Sequence, residues 1–173
     1  MKSTTDSLRL FYALWPDDDI RTQLLALQSQ VSGRKVMPEN LHMTLAFLGQ
    51  QSRDLLPILH QVMDELPFNS MTLEIDRFGY FKKPQVAWAG PSSTPQALLD
   101  LQRTLMEKLV QFKVPLKAEA GFSPHITLAR DATAPAVVDA PSIFWQVRRM
   151  ALIASASTPG GVSYVSLRER LTG

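Results

Sequence analysis

The 173-residue chain contains no cysteine, which excludes disulfides, thiolate nucleophiles and Cys-ligated zinc or iron–sulfur centres. No apolar run approaches the ~18 residues of a membrane span. The opening Met1-Lys2-Ser3-Thr4-Thr5-Asp6 has no apolar stretch behind its charge, so it does not read as a secretory leader. We therefore expect a soluble, cytoplasmic protein. An excess of one charge is also lacking: 18 Lys and Arg against 16 Asp and Glu leave a net +2, far from the basic runs of a dedicated duplex binder. The basic residues fall mostly in short pairs, Arg34-Lys35, Lys82-Lys83 and Arg148-Arg149, with Arg168 and Arg170 near the end. Such pairs tolerate an anionic ligand without specifying one. A Gly-rich phosphate loop is missing too, so ATP-dependent phosphoryl transfer has no support and no ATP requirement is expected.

Histidine is scarce, with three in the chain. Two of the three open nearly the same word: His42-Met43-Thr44-Leu45-Ala46 and His125-Ile126-Thr127-Leu128-Ala129. The surroundings are apolar and strand-like, and in a strand residues i and i+2 share a face. Each His therefore projects with its Thr, while Met43, Leu45, Ile126 and Leu128 face whatever packs behind the sheet. The third histidine, His60, has no Thr partner and reads as structural.

The repeat extends well beyond five residues. Leu8 to Leu14 reads as a buried strand ended by Trp15-Pro16. Asp17-Asp18-Asp19 then opens a helix with favourable negative charge in its first turn. Ile20, Leu24, Leu27 and Val31 recur along it at helical spacing, and Gly33 stops it. A polar loop from Arg34 to Asn40 leads to the first His-x-Thr strand. The second half replays that order: a Gln85 to Gly90 strand, Pro91, a helix marked by Leu98, Leu101, Leu105 and Leu109, then the second His-x-Thr strand. The second copy carries eight more residues between its proline and its histidine, most simply placed between Val114 and Ser123. The duplicated unit is strand, helix, strand.

Between the copies the pattern predicts a helix over Arg53 to Leu66 and a strand over Met71 to Phe78, with a turn at Gly79. After the second copy, Asp131 to Pro141 reads as a connection and Ile143 to Ser155 as an apolar segment. Thr158-Pro159-Gly160-Gly161 turns a terminal hairpin of Val147 to Ser155 with Val162 to Leu167. The expected architecture is α+β: residues 1–173 form one domain of two interleaved, pseudo-twofold-related lobes of antiparallel sheet and helices around a central cleft.

Two imidazoles facing one ligand can divide acid and base work near neutral pH. The flanking threonines offer hydroxyls to a bound anion. In-line displacement at phosphorus suits this set, because attacking and leaving oxygens lie on opposite sides and the equatorial oxygens gather charge. A zinc site wants three or four protein ligands, and neither motif has a nearby Asp or Glu, so no metal and no cofactor are expected.

The chain closely resembles the 2H phosphoesterase family, in particular its bacterial RNA 2′,3′-cyclic phosphodiesterase branch, also called 2′-5′ RNA ligases. The matching residues are His42-Met43-Thr44-Leu45 followed by Phe47-Leu48-Gly49, and Phe122-Ser123-Pro124-His125-Ile126-Thr127-Leu128-Ala129-Arg130. Arg9-Leu10-Phe11-Tyr12-Ala13-Leu14 looks like that branch's first strand. The resemblance implies metal-independent opening of a 2′,3′-cyclic phosphodiester to a 2′-phosphomonoester. It makes His42 the general acid for the leaving 3′ oxygen and His125 the base that activates water. Run backwards with a 5′-hydroxyl, the same parts would join RNA ends. RNA ends or small cyclic nucleotides are the implied substrates, and a monomer without an obligatory partner suffices.

The copies differ five positions after the histidine, where Phe47 faces Arg130. An aromatic ring stacks on a base and Arg adds charge to a phosphate site, with Thr44 and Thr127. An odd offset points away from the His face in an ideal strand, so both roles require a bulge or a strand end. Phe11 is a further stacking candidate. The rival reading is a module of the same fold that binds a nucleotide phosphate without turnover.

Overall fold

The computed structural model describes residues 6–117 and 121–172. Nine strands and three helices follow one another as β1 (Ser7–Leu14), α1 (Asp18–Gln28), β2 (Arg34–Lys35), β3 (Met43–Ser52), α2 (Leu56–Glu65), β4 (Met71–Phe81), β5 (Val86–Gly90), α3 (Gln96–Gln111), β6 (Ile126–Arg130), β7 (Asp139–Val147), β8 (Arg149–Thr158) and β9 (Gly161–Leu171). The strands form one sheet in the order β7-β4-β5-β6-β3-β1-β8-β9, with β2 laid against β6. Every neighbouring pair is antiparallel.

That order is a palindrome in the duplicated unit: β3 and β6 lie at the centre, β1 and β5 flank them, and β8 and β4 come next. The two central strands meet at a single ladder pair, Met43 with Ile126, and β2 of the first half adds two more across the seam, Arg34 with Arg130 and Lys35 with Ala129. Beyond the Met43 and Ile126 pair the central strands part. Two buried glutamines bridge the partings: Gln28 donates from Nε2 to the Val36 and Leu128 carbonyls at 2.7 and 2.9 Å, and Gln51 donates to Leu48 and Pro115, both at 2.7 Å.

From Leu10 to Leu14 strand β1 is apolar because both of its faces are covered. Leu10, Tyr12 and Leu14 enter the main core, which also takes Leu24 and Leu27 of α1, Leu59 and Met63 of α2 and Leu105 and Leu109 of α3. Phe11 and Ala13 point the other way, into a small cluster with Ala151 and Ile153. The helices therefore cover one face, and the opposite face is left for the two motifs. Tyr12 ties the layers, its hydroxyl donating to the Leu59 carbonyl at 2.7 Å.

Several expectations change. Helix α1 stops at Gln28, and Ser29 and Val31 continue as tight turns rather than helix. The Arg34 to Asn40 loop contributes β2, which pairs with the end of β6. The Arg53 to Leu66 segment is one 3₁₀ turn, Arg53–Leu55, ahead of α2. Gly79 makes no turn: it lies inside β4 opposite Trp88. A Cβ there would sit 2.0 Å from Trp88 Cζ2, so the glycine supplies room for the indole instead of a bend. The apolar segment from Ile143 to Ser155 divides at Arg148 into β7 on one half and β8 on the other, and the terminal hairpin runs over β8 and β9. The extra residues of the second copy fall in a connection whose residues 118–120 lie outside the described residues, as do residues 1–5.

Candidate active site

The ladder pair at the centre of the sheet determines the geometry of the site. Met43 and Ile126 stand directly after the two histidines. Continuing that antiparallel register by one residue sets His42 opposite Thr127 and Thr44 opposite His125. Met43, Leu45, Ile126 and Leu128 are buried behind them. Both His-Thr pairs thus sit on the helix-free face, and a twofold relation turns one toward the other.

Each imidazole is held in the same way. His42 Nδ1 lies 2.6 Å from the Asn40 carbonyl and His125 Nδ1 lies 2.8 Å from the Ser123 carbonyl. A carbonyl only accepts, so the proton of each neutral ring is on Nδ1 and the Nε2 lone pair is aimed at the site. Thr44 Oγ1 donates to His42 Nε2 at 3.1 Å. Among the described residues nothing bonds to His125 Nε2.

The surroundings of the two rings differ. His42 stacks on Trp15, at 4.9 Å between centroids and 4° between planes, and on Phe11 at 5.0 Å and 26°, while Tyr164 meets it edge-on at 5.4 Å. Among the described residues His125 has only the edge of Phe81 at 5.0 Å and a tilted Trp88 at 6.0 Å. Burial lowers the His42 pKa from 6.5 to about 4, with the His125 and Arg130 charges pushing the same way and the Asn40 carbonyl opposing. Burial also lowers that of His125, with the Arg130 charge adding and the Ser123 carbonyl opposing. Arg130 is thus close enough to act on both rings.

Arg130 and Phe47 reach this face through two matched irregularities. In the β1–β3 ladder, Tyr12 pairs with Ala46 and Ala13 with Thr44, skipping Leu45. In the β5–β6 ladder, Ala87 pairs with Ala129 and Trp88 with Thr127, skipping Leu128. Each motif carries a bulge three residues after its histidine, which reverses the side-chain alternation beyond it. Phe47 is 59% exposed, an open aromatic surface. Phe11 does not stand free for a base as expected: it is only 4% exposed because His42, Phe47 and Tyr164 cover its ring. His60 lies on α2, on the other side of the sheet, with its Nε2 buried and unpartnered among the described residues.

A cleft of about 780 Å³ opens beside His42 and runs along β1, β3 and β8, walled by Phe11, Phe47, Tyr164 and Arg130. Among its described lining residues are three cations, Arg9, Lys117 and Arg130, and no carboxylate. No group of three or more His, Asp or Glu side chains among the described residues is placed to hold a metal ion. The sequence reading did not find Trp15, Tyr164, Trp88 or Phe81 as neighbours of the histidines. Only the Trp15-Pro16 strand end signalled one of them.

An open antiparallel sheet with paired His-x-Thr strands at its centre defines an α+β protein of the 2H phosphoesterase class. More narrowly, the chain belongs to the 2′-5′ RNA ligase superfamily, whose pattern matches residues 16–159. It is 30% identical over 166 residues to the RNA 2′,3′-cyclic phosphodiesterase of Escherichia coli (strain K12), covering 92% of this chain and 94% of that one. The corresponding protein of Thermus thermophilus is 32% identical, with 94% of this chain and 89% of its own covered. Among solved structures, E. coli LigT in apo form superposes with a TM-score of 0.84 at 28% identity, covering 96% and 98% of the two chains. LigT complexed with 3′-AMP gives 0.85 at 29% identity with the same coverage. No helix among the described residues is long and apolar enough to cross a membrane.

Proposed function

We propose that this chain hydrolyses RNA or nucleotide 2′,3′-cyclic phosphodiesters to 2′-phosphomonoesters, without a metal ion, through the two His-x-Thr pairs. The observation that carries the reading is the pairing of Met43 with Ile126, which sets two Nε2 atoms and two threonine hydroxyls around one small space. Relatives named RNA 2′,3′-cyclic phosphodiesterase match most of the chain, and a related structure holds 3′-AMP. Both support the choice of ester.

The anionic cyclic phosphate enters between the pairs, and the Thr44 and Thr127 hydroxyls donate to its equatorial oxygens while Arg130 adds charge. Thr44 then releases His42 Nε2. A negative charge beside that nitrogen favours its protonated form, so His42 gains its proton as substrate binds. His125 Nε2 takes a proton from water, and the water oxygen bonds to phosphorus. The bond from phosphorus to the 3′ oxygen breaks, and His42 delivers its proton to that oxygen. The phosphate remains on the 2′ oxygen. Reversal with a 5′-hydroxyl in place of water gives a 2′-5′ linkage and needs no further residue. Phe47 offers its exposed face to the base, and Phe11 backs His42. One chain builds the whole site, so a cytoplasmic monomer acting on RNA ends is sufficient.

The test is incubation of adenosine 2′,3′-cyclic phosphate with enzyme in EDTA and chromatographic separation of the 2′ and 3′ products. We expect only the 2′-phosphate, and a loss of at least about 100-fold in either His42→Ala or His125→Ala. Saturable binding without turnover would replace the hydrolase by a nucleotide-binding module. Full activity in either variant would remove the two-histidine mechanism.

A further inference from the structure

The cleft adjoins His42 through Phe11 and Tyr164 and leads away from the His-Thr pairs past Arg9 and Lys117. Three rows of side chains cross β3, β1 and β8 on this face. Thr44, Ala13 and Ala151 form the row at the motif; Phe47, Phe11 and Ile153 form the next; Gln50, Arg9 and Ser155 form the third. From Ala13 to Arg9 is four residues of unbroken β1, or ~13 Å at the usual rise of a strand. The order along this face of the sheet is therefore hydroxyl and imidazole, then aromatic ring, then guanidinium, and residues of the last two rows line the cleft.

Arg9 is exposed and lines the cleft, as do Gln50 and Ser155. Among the described residues neither Arg9 nor Lys117 has a carboxylate partner, although most other arginines near acids are paired. The positive charges of Arg9 and Arg130 both act on the Tyr164 hydroxyl, which burial otherwise renders harder to ionise. The two cations thus flank one wall of the same space. An unpaired guanidinium beside a hydroxyl and a carboxamide, with no acid lining the cleft, is suited to a phosphate diester.

Resting on the hydrolase reading, we propose that Arg9, Gln50 and Ser155 form a subsite for the internucleotide phosphate on the 5′ side of the reacting end, so the preferred substrate is an oligonucleotide terminus rather than a cyclic mononucleotide. The arrangement follows the chain of such a substrate. Its terminal cyclic phosphate lies at the His-Thr pairs and its last base lies on Phe47. The diester that joins it to the preceding nucleotide lies between the motif row and the third row, where the long Arg9 side chain, whose charge acts on Tyr164 beside His42, reaches it. A mononucleotide with a free 5′-hydroxyl leaves that place empty. Because the contact is ionic and open to solvent, salt weakens it.

The experiment compares kcat/KM for adenosine 2′,3′-cyclic phosphate and for the dinucleotide ApA ending in a 2′,3′-cyclic phosphate, in wild type and in Arg9→Gln. In wild type we expect the dinucleotide to be favoured about tenfold or more, one charge-assisted contact being worth that much. Arg9→Gln brings the ratio towards one, and added salt does so in wild type. A wild-type ratio near one, or a preference that survives Arg9→Gln, overturns the subsite while leaving the hydrolase reading intact. Turnover of neither ester overturns that reading and the subsite with it.

Discussion

Acid should destabilise the folded protein through His42 before it reaches the carboxylates. Burial lowers the pKa of this ring from 6.5 to about 4, so the unfolded chain takes up a proton at higher pH than the folded one. Stability from this group is fully present above 6.5 and drains away as pH falls toward 4, with slope set by the difference in bound protons. The linkage gives a loss of about 2 kcal/mol between about pH 7.5 and about pH 5, approaching about 3 kcal/mol near pH 4. His125 is shifted in the same direction and adds to the loss. Urea unfolding at the two pH values measures the change, and His42→Gln removes the titrating group, so the wild type should lose about 2 kcal/mol more than the variant over that interval. The ring signal of His42 in proton NMR should titrate well below 6.5, and at higher pH when a phosphomonoester occupies the site. Titration near 6.5, or equal losses in wild type and His42→Gln, would refute the desolvation argument. In kinetics, kcat/KM reports the free enzyme. The form with one proton, on His42 and none on His125, is most populated between the two lowered values, so kcat/KM should peak on the acid side of 6.5.

Other residues test the packing and the cleft. Phe47→Ala removes an exposed ring, so we expect a stability change under ~0.5 kcal/mol and a rise in KM for a cyclic purine nucleotide of about tenfold, the value of a modest stacking contact. Gly79→Ala places a methyl group against Trp88; overpacking there should cost about 1–3 kcal/mol in chemical unfolding and lower turnover by displacing the indole from His125. Tyr12→Phe removes the second donor to the Leu59 carbonyl, which keeps its bond within α2, and thermal unfolding should register a loss of about 0.5–1.5 kcal/mol.

The duplicated strand, helix, strand unit was legible because its signals are local: the His-x-Thr words, the Pro after each outer strand, and leucines at helical spacing. The positions of His42 with Thr44 and His125 with Thr127 on one face followed from the period of a strand. Phe47 and Arg130 did not follow, because their direction depends on bulges at Leu45 and Leu128, which arise from pairing with β1 and β5. Trp15, Tyr164, Phe81 and Trp88 gather around the histidines from four different strands or strand ends, contacts set by sheet order that no short window contains. Gly79 was misread for a related reason. A glycine marks either a bend or a close approach, and only the partner strand, with Trp88 opposite, distinguishes the two.

The one ladder pair between Met43 and Ile126, with Gln28 and Gln51 bridging the partings on either side, divides labour between frame and chemistry. Each half carries its own histidine and threonine on its own strand, and only the seam sets the gap between them. Residues away from the seam are therefore free to differ from one half to the other without disturbing that gap. Phe47 against Arg130, and the three rings around His42 against the two beside His125, are such differences. A symmetric scaffold of this kind acts on an asymmetric molecule, one end base and the other phosphate, because its two copies are held in register along one narrow seam while the side chains around each histidine differ.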